Sequence, residues 1–124
     1  MKVYDPDIPP DPKEWLSLDE GERIMRIEKY HVEANIDLPN LRLHSSIHAV
    51  VENQIAMGDE TAAKDALERL MTEGLGRHDA IHAIGMILAE QLYDLMKNPS
   101  ASDVNDSYNA ALRSLTAESW LKSG

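Results

Sequence analysis

Five histidines, His31, His44, His48, His78 and His82, are the side chains of this sequence best suited to chemistry. His44 and His48 stand four residues apart, so on a helix they lie one turn from each other with Cβ atoms ~5–6 Å apart, able to grip one ion. Glu52 extends the same row by another turn, and His78 and His82 repeat the spacing further on, with Glu90 two turns later. Five histidines scattered at random over this length would give ~0.2 such pairs, whereas the chain has two, a counted match to a helical template. His78 falls in the first turn of its predicted helix, where the macrodipole disfavours positive charge and so favours the neutral ring that a metal requires. Glu28 and His31 form a Glu-x-x-His unit of the kind that di-iron bundle proteins project inward, a secondary candidate pair. The competing reading is that each imidazole is a hydrogen-bonded core residue and that Glu28, Glu52, Glu73 and Glu90 are solvated.

Other chemistries are poorly served. The residues between His44 and His48 are Ser45, Ser46 and Ile47, which excludes the His-Glu-x-x-His metalloprotease motif. Adjacent helical positions diverge around the axis, so neither serine pairs with its neighbouring histidine as a nucleophile. Gly74-Leu75-Gly76 follows a predicted helix and reads as a tight turn, not a phosphate loop. With no cysteine in the chain, a metal site must use imidazole and carboxylate. Twenty-two acidic against twelve basic residues give a net charge of -10, which makes nucleic acid a poor partner and favours solubility. The start lacks the apolar core of a signal peptide, and no apolar run approaches the ~20 residues of a membrane helix, so a cytoplasmic protein without membrane partners is expected.

The elements that must carry these residues are helical. Residues 1–12 hold Pro6, Pro9, Pro10 and Pro12 among aspartates and predict an extended arm; 13–124 predict one helical domain. A short turn opening at Pro12 would anchor Trp15 and Leu16. A capping box at Ser17-Leu18-Asp19-Glu20 opens a helix over 18–35 carrying Ile24, Ile27, His31 and Ala34. Asn40 caps a second helix that ends near Met57 and places His44 and His48 on its inward stripe. A third helix follows Gly58-Asp59, carries Ala63, Ala66, Leu67, Leu70 and Met71, and stops at Gly74. A fourth begins near Arg77 and runs to Asn98-Pro99, and a last spans 102–121. Nothing alternates with a period of two, so the fold class is all-α: a four- or five-helix antiparallel bundle with an extended Pro/Asp-rich N-terminal arm.

The stretches Leu43-His44-Ser45-Ser46-Ile47-His48-Ala49-Val50-Val51-Glu52-Asn53-Gln54 and Arg77-His78-Asp79-Ala80-Ile81-His82-Ala83-Ile84 resemble the paired-histidine motifs of a bacterial family catalogued as a domain of unknown function, number 1841. The likeness spans about residues 38–95. It implies a small helical cytoplasmic protein without an assigned activity, and it links His44, His48, Glu52, His78 and His82 as one group. His31 and the C-terminal helix lie outside it.

The reading that follows is a metal-binding helical bundle in which His44, His48, His78 and His82, completed by Glu52, hold a divalent first-row ion between the second and fourth predicted helices, zinc or iron first among candidates. Glu28 and His31 stand in reserve as ligands. An open coordination position would permit hydrolytic or redox chemistry. The alternative is a metal-free structural or interaction module, with a second copy or another protein as partner and imidazoles hydrogen-bonded across helices. A third is a pH sensor, in which clustered histidines protonate together near pH ~6 and repel.

Overall fold

The computed structural model describes residues 3–36, 38–98 and 104–123, with only the backbone of Val104 and Ser123. Among these residues there are seven α-helices and no strand. None of these helices is long and apolar enough to cross a membrane.

Helix α1 (Pro12–Ser17) uses proline in its opening turn, where no amide donor is missed, and Asp11 caps it by accepting from the Glu14 amide at 3.0 Å. Trp15 is buried and donates its indole N–H to Asn53 Oδ1, while Leu16, the other expected anchor, is exposed. Arg23 then ties the junction together, donating to the Leu16 and Leu18 carbonyls and to Asn53 Oδ1. Helix α2 (Glu20–Glu33) starts two residues later than expected, and its N-cap, Asp19, makes no side-chain capping bond. Ser17 does not form the expected capping box because its hydroxyl donates back to Glu14 within α1. Asn35, at φ 58°, closes α2 in the left-handed conformation that asparagine tolerates: Ile36 N–H reaches the His31 carbonyl and Asn35 N–H reaches Val32.

Asn40 Oδ1 accepts from the Leu43 amide at 3.0 Å and opens α3 (Leu41–Ala56). A 3-10 turn, Gly58–Glu60, leads to α4 (Ala63–Thr72). Gly74, at φ 110°, terminates α4 with the same double bond pattern, Leu75 N–H to Leu70 and Gly74 N–H to Met71, as the glycine stop predicts. Helix α5 (Arg77–Lys97) runs to Asn98; the proline breaker expected next, Pro99, and the start of the last expected helix at 102 lie outside the described residues.

The last expected helix is two, α6 (Val104–Ser114) and α7 (Ala117–Ser123). Thr116 and Ser119 break it by a reciprocal cap, each side-chain oxygen accepting the other's amide, and Glu73 Oε1 takes the Ala117 amide at 2.7 Å. Helix α3 is the hub, packing against α1, α2, α4 and α5, while α6 lies on α4 and α5. One apolar cluster joins Val51, Leu67, Leu70, Ile81, Ile84 and Leu112; a smaller one joins Tyr4, Trp15, Ile27 and Ala49. Gly85 permits the close approach of α5 to α3, since a Cβ there would stand 3.3 Å from Ile47 Cγ2.

Candidate metal centre

Three helices deliver the histidines: His31 from α2, His44 and His48 from α3, His78 and His82 from α5. On α2, Ile27 and His31 share one face and both are fully buried. The pairing of α3 with α5 rises in one number as it falls in the other: His44 lies beside His82 (ring centroids 4.9 Å apart), His48 beside His78 (5.5 Å), and Glu52 against Arg77. His31 completes the group from the α2 side, 4.8 Å from His44 and 5.5 Å from His48. His78 and His82, one turn apart, are 4.2 Å from each other. One ring nitrogen from each of His31, His48, His78 and His82 lies within 4.8 Å of the other three.

Each of the five rings also carries a buried nitrogen without a hydrogen-bond partner among the described residues: Nε2 of His31, His44, His78 and His82, and Nδ1 of His48. The opposite nitrogen of two rings is held from outside the cluster. His31 Nδ1 lies 2.8 Å from the Ile27 carbonyl, which can only accept, so Nδ1–H donates to it and Nε2 is left to the cluster. His48 Nε2 lies 3.1 Å from the Tyr4 hydroxyl.

Burial pushes the basicity of His44, His48, His78 and His82 down, and the neighbouring imidazoles push it further in each case. His82 falls to about 3. Asp7, Asp79 and Asp5 partly oppose the effect at His78. These four rings are therefore neutral at neutral pH, the form that ligates a metal.

The carboxylates weighed as ligands, Glu52 and Glu28, go elsewhere, as do Glu73 and Glu90. Glu52 is buried one turn beyond His48, but both its oxygens accept from Arg77, at 2.8 and 2.9 Å, and Oε2 also takes the Tyr4 hydroxyl. Glu28 pairs with Arg42, Glu73 caps α7, and Glu90 is exposed. The converging donor groups are thus all imidazole, with His31 among them and Glu52 behind them on Arg77.

Three neighbours escaped the sequence reading. Arg77 is buried, 4 % exposed, at the first position of α5, where the helix dipole disfavours a cation; that mismatch, next to His78, was a usable signal of a buried anionic partner. Tyr4 is 5 % exposed and edge-on to His48, although the surrounding prolines and aspartates read only as an extended arm. Burial, then the Glu52 charge, push its pKa far above the ordinary phenol range. Tyr30 stands edge-on to both His31 and His78.

No curated protein and no solved structure matches the chain. Residues 11–114 match the family model described as "Domain of unknown function (DUF1841)", a span that takes in every helix bearing a histidine, and the chain belongs to that family.

Proposed function

We propose that this protein is a helical bundle that binds one divalent first-row transition ion through its histidine cluster, with His31, His48, His78 and His82 as the closest donor set and His44 at its side. The observation that carries the reading is the set of five buried imidazole nitrogens with no partner among the described residues, gathered from three helices. An unpaired buried polar atom costs ~1–3 kcal/mol, so leaving five together is expensive unless a ligand satisfies them. Imidazoles around one tetrahedral ion with bonds of ~2.1 Å have donor atoms about 3.4 Å and ring centroids about 5 Å apart. The centroid spacings here, 4.2 to 6.5 Å, bracket that value. The nitrogens, within 4.8 Å of one another, need to draw in by side-chain rotation as the ion enters.

An all-nitrogen donor set suits zinc, iron, nickel or copper and discriminates against magnesium and calcium, with zinc and iron the first to test. Where the ion keeps a position for water it acidifies that water, which is the basis for a hydrolytic or redox role. The metal-free reading needs imidazoles hydrogen-bonded across the helices, and the partnerless nitrogens disfavour it. The test is elemental analysis and calorimetric titration of protein purified without a histidine tag or chelator. About one zinc or iron ion per chain and no response to magnesium is the expected result; no ion near one per chain, even after reloading, overturns the proposal.

A further inference from the structure

The Tyr4 hydroxyl touches two groups, and their proton inventory is constrained. Glu52 is a carboxylate chelated by Arg77 through two hydrogen bonds, so its oxygens accept only. Tyr4 has one hydroxyl proton, and its 2.5 Å contact to Glu52 Oε2 uses it. The contact to His48 at 3.1 Å must then run the other way, with Nε2–H donating to the phenol oxygen. A neutral imidazole protonated at Nε2 has its lone pair at Nδ1, and Nδ1 of His48 is the buried nitrogen left without a partner among the described residues.

From this we infer that Tyr4 is a positioning residue for the metal centre: backed by Glu52 and Arg77, it holds His48 in the Nε2–H tautomer so that His48 binds the ion through Nδ1. The inference rests on the metal reading above and deepens it. The other ties of the N-terminal segment converge on the same place. The Pro6 carbonyl accepts from Arg77 at 2.8 Å, and Asp7 Oδ1 accepts from the backbone amide of His78 at 3.2 Å. The Tyr4 ring is wedged against Trp15, Tyr30 and His48, with centroids 5.6, 6.3 and 5.7 Å away. The segment that contributes no ligand therefore orients one ligand and braces the backbone of another. By linkage, ion binding tightens the docking of this segment as much as docking tightens the ion.

Nitrogen-15 NMR of the metal-free wild-type protein reads the tautomer directly, and titration with Co2+ and Zn2+ reads affinity. The expected results are a His48 ring protonated at Nε2 and, in Tyr4→Phe, which keeps the ring and loses only the hydroxyl, loss of that tautomer preference together with ~10–100-fold weaker Co2+ binding. A wild-type His48 protonated at Nδ1 overturns the assignment whether or not the variant folds. A folded variant with unchanged Co2+ affinity overturns it too. Failure of the wild-type protein to bind either ion removes the metal reading and this inference together.

Discussion

Replacing His82 by leucine changes stability in opposite directions depending on whether metal is present. His82 Nε2 is buried without a partner among the described residues, and burial with its neighbours His78, His44 and His31 drives the ring's pKa to about 3. In metal-free protein the ring is thus an apolar-sized side chain carrying an unsatisfied polar atom, a liability of ~1–3 kcal/mol. His82→Leu keeps most of the volume and deletes the liability. The hypothesis predicts that with chelator present the variant is as stable as the wild-type protein or up to ~2 kcal/mol more stable. Zinc at 100 times its dissociation constant adds ~2.7 kcal/mol to a protein that binds it only when folded. The variant, short of one donor, forfeits most of that gain, so the order of stabilities inverts. Urea denaturation followed by circular dichroism, with chelator and with zinc, measures all four values. A metal-free variant ~2 kcal/mol or more below wild type would show that the ring is a well-satisfied core residue, and equal zinc stabilisation of both proteins would show that it is no donor.

Acid should destabilise the fold through the same rings. For His44, His48, His78 and His82 the folded pKa lies below the unfolded value, 6.5. Below pH 6.5 the unfolded chain takes up protons that the fold refuses. Their contribution is therefore full above that pH and is lost as pH falls through the lowered values, which for His82 is about 3. His48, the most buried of the four, alone contributes a slope of up to ~1.4 kcal/mol per pH unit; stability that stays flat from pH 7.5 to 5 in urea titrations would contradict this. Arg77→Met should cost ~3–5 kcal/mol, because it strands the buried Glu52 carboxylate, while adding Glu52→Leu should recover most of the loss. A double-mutant cycle reads the coupling, and a single-variant loss below ~1 kcal/mol would mean that solvent reaches the pair.

What was legible in the sequence is what local rules encode. Asn40 and Gly74 mark helix ends because capping depends on a few adjacent residues. The i, i+4 spacing of His44 with His48 and of His78 with His82 places each pair on one face, whatever the fold does next. The split between α6 and α7 was hidden because Leu112 and Leu115 continue a helical spacing and the break lacks glycine or proline; part of its stabilisation comes from Glu73, 44 residues away. Tyr4 and Arg77 were hidden for the same reason. Their partners lie 25 to 71 residues distant, and periodicity reports which face is buried but not what it meets. His31 lacked a second histidine one turn away, so only the packing of α2 on α3 shows that its face looks into the cluster.

The placement of the imidazoles bears on whether folding waits for metal. Helices α2 and α5 both pack on α3, and the rings fill the space among the three, while Leu70, Ile81, Ile84 and Leu112 are buried in one apolar cluster and Ile27 with Trp15 in another. A zinc finger unfolds without its ion because it has little core of its own. Here the burial that drives collapse comes from side chains that bind nothing, and the dipolar cost of the histidines is confined to one pocket. Metal removal should then leave the helices in place: the far-ultraviolet circular dichroism of chelator-treated protein at neutral pH should keep its helical amplitude, with the melting temperature lowered. Loss of most helical signal on chelation would mean that the ion is needed to assemble the α3–α5 pair, and the His82→Leu expectation would fail along with it.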